Sequence, residues 1–70
     1  MEEVVIKVGG MSCQGCVKNV TGVLSELAGV DRVEVSLERG TAHVFFDASR
    51  VQAEALKSTI EDAGFDAELP

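Results

Sequence analysis

Two cysteines stand three residues apart in the stretch Gly9-Gly10-Met11-Ser12-Cys13-Gln14-Gly15-Cys16. With the second of them at or near a helix start, both sulfurs can turn toward one point above the loop and form a two-thiolate site. A helix start carries unpaired backbone N–H groups and the positive end of the macrodipole. Both thiols should therefore ionise more readily than free cysteine, Cys16 more so than Cys13. Two soft anionic ligands with no further strong donor nearby suit a soft ion of low coordination number, and copper(I) is the biological ion that fits best.

Other chemistries for the same cysteines are weaker. Structural zinc needs a closed set of four ligands and an iron–sulfur cluster about as many, and the chain offers only Cys13, Cys16 and His43. His43 alternates with Ala42 and Val44, which places it on a sheet face away from the loop as a solvated strand residue. A thioredoxin-like redox pair would also precede a helix, but Gln14-Gly15 stands where Gly-Pro commonly separates such cysteines, and the chain has no Trp. A structural disulfide or a pair of inert buried thiols are the remaining readings. Met11 is read as packing beneath the loop rather than as a thioether ligand. Phe45, outward by the same alternation as His43, is read as a small exposed apolar spot. One His and no base–nucleophile pairing argue against an enzyme.

The elements that must hold this loop can be read from periodicity. Val4, Ile6 and Val8 alternate with Val5 and Lys7, the period of a half-buried strand, and Gly9-Gly10 ends it. Val17, Val20, Leu24 and Leu27 fall at helical spacing, which predicts a first helix from about Cys16 to Ala28, with Gly29 as terminator. Val33, Val35 and Leu37, then Ala42, Val44 and Phe46, alternate on either side of Glu38-Arg39-Gly40 and predict a hairpin with one wet face. Ser49 followed by Gln52 has the spacing of a capping box, and Ala53, Leu56, Ile60 and Ala63 share one face of a second helix that ends at Gly64. Phe65, Ala67 and Leu69 close the chain with a short alternating run. The order βαββαβ with right-handed crossovers predicts an α+β ferredoxin-like sandwich: a four-stranded antiparallel sheet with both helices on one face.

Seventy residues predict one domain, residues 1–70, with a thin core, since a chain this short buries only about 60% of the surface it exposes when unfolded. With 46% apolar and 26% charged residues it reads as globular, and a net charge of -6 with six scattered cations argues against nucleic acid as a partner. No run approaches the roughly 20 apolar residues of a membrane helix, so no direct membrane insertion is expected. The acidic Met1-Glu2-Glu3 start is unlike a signal peptide, and the expected location is cytoplasmic, where thiols stay reduced.

The loop Gly10-Met11-Ser12-Cys13-Gln14-Gly15-Cys16, the helix carrying Val17 and Val20, Gly29-Val30, and Ile60-Glu61-Asp62-Ala63-Gly64-Phe65 together resemble the heavy-metal-associated domains, over essentially the whole chain. These include copper chaperones and the N-terminal modules of copper-transporting P-type ATPases. The resemblance implies one copper(I) on Cys13 and Cys16 with Met11 packed below. Ser12 stands where relatives that prefer zinc or cadmium commonly place an acid, which also favours copper(I). Phe65 resembles the ATPase modules. The Met start and the ending at Leu69-Pro70 resemble a free bacterial chaperone, which is the reading preferred here, with the ATPase module as the alternative. The implied partner is a CxxC-bearing domain of a copper-transporting ATPase, reached as a monomer, with a copper-bridged dimer as the variant. Mercury binders of the family share the ligands but carry a signal peptide.

Overall fold

The computed structural model describes all of residues 1–70. Its elements are β1 (Glu2–Gly9), α1 (Gln14–Ser25), β2 (Val30–Ser36), β3 (Thr41–Phe46), α2 (Ala53–Asp62) and β4 (Asp66–Glu68). The strands form one sheet in the order β2-β3-β1-β4, and every neighbouring pair is antiparallel. This is the expected ferredoxin-like arrangement.

Register follows the apolar alternation. Val4 lies opposite Val44 and Ile6 opposite Ala42 across β1 and β3, while Val33 and Val35 meet the same two residues from β2. A slip of one residue would turn all of these side chains to solvent, so the buried face fixes the pairing. The register shifts between Val30 and Arg32, where Asp31 is the extra residue. The core is Ile6, Val8, Ala42, Val44 and Phe46 from the sheet with Val20 and Leu24 of α1 and Leu56 and Ile60 of α2. It holds no polar or charged residue.

Three local expectations are corrected. Helix α1 begins at Gln14 rather than Cys16 and ends at Ser25 rather than Ala28. Past that end, the Leu27 amide reaches only three residues back to the Leu24 carbonyl and Val30 to that of Leu27, so the chain turns tightly. Leu27 still packs on the core, which is why the helical spacing extended so far. Gly29 then takes φ 96°, and a Cβ there would lie 2.9 Å from Cβ of Arg50, so the turn requires glycine. The capping box does not form. Both N–H and Oγ of Ser49 donate to Oδ1 of Asp47, at 3.0 and 2.6 Å, and Gln52 at the head of α2 makes no side-chain cap bond. Asp47, two residues away, is a nearer and charged acceptor. Finally, β4 comprises only Asp66–Glu68, with Phe65 preceding it and Leu69 following it.

Candidate metal site

Strand β1 delivers the loop and helix α1 receives it. After Gly9 the backbone turns at Gly10, with φ 90°, and the Cδ1 atom of Phe65 lies 3.8 Å from the place a Cβ would occupy. Phe65 and Met11 are both half-buried against the core, so the loop rests on an apolar floor fed from β1 and from the α2–β4 turn. Met11 thus packs against the core, the packing half of what the sequence suggests.

Cys13 is the N-cap residue of α1, extended at φ -154° and ψ 168°. Its carbonyl accepts the amides of Cys16 at 3.1 Å and Val17 at 3.3 Å, which closes the first turn. That turn brings the two Sγ atoms to 3.1 Å from each other. Both cysteines are free; Cys13 is exposed and Cys16 half-buried.

The helix start is left open for negative charge. No side chain caps it, and its first turn contains no acidic residue. The Cys16 thiol is held below its ordinary value, chiefly by a hydrogen bond from the backbone of Ser12, then by the Cys13 side chain, against a smaller opposing effect of burial. Donors aimed at a sulfur favour its thiolate.

His43 is kept away from this site. Its Nε2 lies 3.2 Å from Oε1 of Glu3, and its ring stacks on Phe45 with centroids 4.5 Å apart. Arg32 lies over the other end of this group, 5.8 Å from the Phe45 centroid, while bonding Glu34 at 2.8 Å. Both rings are therefore half-buried by one another and by their neighbours, not the solvated histidine and exposed apolar spot that alternation alone suggests. The large apolar residues that do stand exposed are Met1 and Val5. Val5 lies opposite His43 in the register, and its outward position was legible from the same alternation. No group of three or more His, Cys, Asp or Glu side chains converges anywhere in the chain. What the loop does bring together is two sulfurs at the head of a helix.

The comparisons with known proteins agree with this architecture. Residues 5–66 match the sequence model of the heavy-metal-associated domain. The copper chaperone CopZ of Bacillus subtilis is 47% identical over 66 residues, 94% of this chain and 96% of the chaperone. Copper-transporting ATPase 1 of Mus musculus is 44% identical over 69 residues, 99% of this chain, and the chain spans only 5% of that protein's length. Among solved structures, a copper binding domain from HMA7, a P-type ATPase, superposes with a TM-score of 0.98 at 38% identity, covering 100% of this chain and 95% of that one. The family match extends across the sheet, both helices and the cysteine loop, and the chain belongs to the heavy-metal-associated domain family.

Proposed function

We propose that this chain is a copper(I) carrier, holding one ion between Cys13 and Cys16 and passing it to a partner by exchange of thiolate ligands. The observation that supports this reading is the pair of free sulfurs 3.1 Å apart at an uncapped helix start, where no cluster of His, Asp or Glu joins them. Soft ligands limited to two favour a soft ion and leave it open to attack. The names of the relatives, a copper chaperone and copper-transporting ATPases, point to the same cargo.

Loading requires a small movement. Two metal–sulfur bonds of about 2.3 Å, the length zinc makes, would span about 4.6 Å if placed in line. The sulfurs must spread beyond 3.1 Å, and the exposed Cys13 is the freer to turn. An incoming thiolate from a partner's CxxC then adds to the ion, a sulfur of this chain leaves, and the ion crosses without being released to water. The partner is a CxxC-bearing domain of a copper-transporting ATPase, met in the cytoplasm, where both cysteines stay reduced. Residues 1–70 act as one carrier domain, without catalysis of their own, as a monomer or as a pair bridged by copper. No helix is long and apolar enough to cross a membrane.

A second reading is that the same domain is an N-terminal module of a copper-transporting ATPase. The likeness to the HMA7 domain and to the mammalian ATPases favours it. The reading frame beyond Pro70 distinguishes the two, and the chemistry of the loop is common to both.

The test is an anaerobic titration with competing copper(I) and zinc chelators, followed by mixing the loaded chain with a CxxC partner domain and with that partner lacking its cysteines. One copper(I) per chain and transfer only to the intact partner are expected. Transfer at the same rate to both partners, or only at the rate of spontaneous release, would leave the domain a passive buffer.

A further inference from the structure

Strand β2 is an edge of the sheet, with β3 on one side and no strand on the other. Half of an edge strand's backbone N–H and C=O groups point away from its neighbour and are free to pair with another strand. Beyond the bulge at Asp31 this edge runs regularly from Arg32 to Ser36. Val33 and Val35 are half-buried against the core, while Arg32 and Glu34 alternate with them onto the helix-free face, 65% and 51% exposed and 2.8 Å from each other. A bulge and charged side chains are common defences of an edge against pairing. Here the charges are opposite in sign and two residues apart, so they oppose most registers and favour one.

We propose that this edge docks a second copy of the chain, β2 against β2 and antiparallel, with Val33 opposite Val33. A two-fold axis normal to the sheet at that point sets Arg32 of each copy opposite Glu34 of the other. Each arginine then lies between two carboxylates, in a group of four charges rather than an isolated exposed pair. Centring the pairing on Arg32 or on Glu34 sets like charges directly opposite, which destabilises. Centring it on Val35 or Ser36 carries Arg32 past the end of β2, and a centre between two residues sets side chains of opposite faces against each other. The favoured register joins two four-stranded sheets into one of eight strands, with all the helices on one side. Ser36, Thr41 and Lys7 align at the end of the sheet from which β1 leads to the cysteines. Antiparallel pairing therefore puts the two cysteine loops at opposite ends of the joint, both open. This separates it from a pair bridged by copper, and it does not rest on the carrier reading. So short an edge falls below the roughly 1,000 Å² of a lasting interface, so the association is weak and transient.

Sedimentation equilibrium and amide NMR shifts over a concentration series test it on the metal-free chain, with reductant and a copper(I) chelator present to remove disulfides and bridging ions. Dimers should form as concentration rises, with shifts confined to residues 31–36, and should weaken as salt is raised. Glu34→Arg sets cations on both sides of the joint and Arg32→Glu sets acids there, and each should weaken association about ten-fold. The double variant Arg32→Glu/Glu34→Arg reverses both pairs and should restore it. An equimolar mixture of the two single variants should associate more tightly than either alone, a result that misfolded singles could not give. A chain that stays monomeric at its highest soluble concentration, shifts centred on the cysteine loop or the helices, single variants that associate like wild type, or a double variant and mixture that restore nothing would overturn the proposal.

Discussion

Two strand-to-helix turns in this molecule use the same device to different ends. Between β3 and α2, the carboxyl of Asp47 is held below the usual carboxylate range, first by the Ser49 side chain and then by the Ser49 backbone. Between β1 and α1, the thiol of Cys16 is held below its ordinary value first by the Ser12 backbone. In both, a serine of the turn stabilises an anion near a helix start. The Asp47 turn is closed on itself: its carbonyl also accepts the amides of Arg50 and Val51, at 2.9 and 3.0 Å, and its amide donates to the Gly29 carbonyl at 2.7 Å. The cysteine turn is not. There the second anion-forming group is another sulfur, 3.1 Å away and exposed, and two such sulfurs can share a positive ion. Stabilising an anion by a turn is ordinary structure; setting a second, exposed sulfur beside that anion is what distinguishes the cysteine turn.

The largest effect should come from removing that difference. Replacing both Cys13 and Cys16 by Ser should abolish copper(I) binding in a chelator titration, while Asp47→Asn should leave the stoichiometry at one ion per chain. Binding at full strength by the double variant would contradict thiolate ligation.

Acid should separate the turns next. The lowered thiol of Cys16 favours the form that binds metal, and protons compete for it, so copper affinity should fall as pH is lowered through the thiol range. For Asp47 the linkage concerns folding. A carboxyl whose folded value is depressed contributes stability above its unfolded value, and that stability is lost as pH falls through the folded one. Below the usual carboxylate range, wild type should therefore lose stability that Asp47→Asn no longer has to lose. Copper affinity unchanged between mildly acidic and neutral pH would break the first half, and parallel acid melting curves would break the second.

How much of this was legible in the residues depends on the range of the interaction. Periodicity placed every strand and both helices, because Ile6, Val44, Leu56 and the other core residues each face a common interior. The cysteine pair was legible because its partners are three residues apart and one helical turn fixes them. Local competition between acceptors was not. Ser49 has two possible roles within its own turn, and only the folded backbone shows that Asp47 takes it before Gln52 can. Nor was the grouping of Glu3, His43, Phe45 and Arg32, which draws on three strands brought together by register.

The floor of the cysteine turn gives a smaller effect. Met11 packs on the core at the start of the loop that carries the cysteines. Met11→Leu nearly conserves volume, so it should keep copper affinity and cost less than about 1.5 kcal/mol in denaturant unfolding. A large loss of affinity with the fold intact would make Met11 a ligand and remove the claim that two sulfurs suffice.

The finest test uses the feature the two turns share. Cys13 and Gln52 both occupy N-cap positions with extended backbones, at φ -154° and -106°, and neither side chain makes a cap bond. That is the conformation from which an aspartate accepts an amide of the first turn, and a good cap contributes about 1 kcal/mol. Gln52→Asp should therefore stabilise the metal-free fold by about that amount and leave copper affinity alone. Cys13→Asp should stabilise the metal-free fold by a similar amount and lose tight copper binding with the sulfur. If both hold, the uncapped start of α1 is a stability deficit kept for the sake of a ligand, whereas that of α2 is simply unoptimised. If Cys13→Asp instead destabilises the metal-free chain, Cys13 contributes to the fold itself, and the contrast between a finished turn and an open one no longer stands.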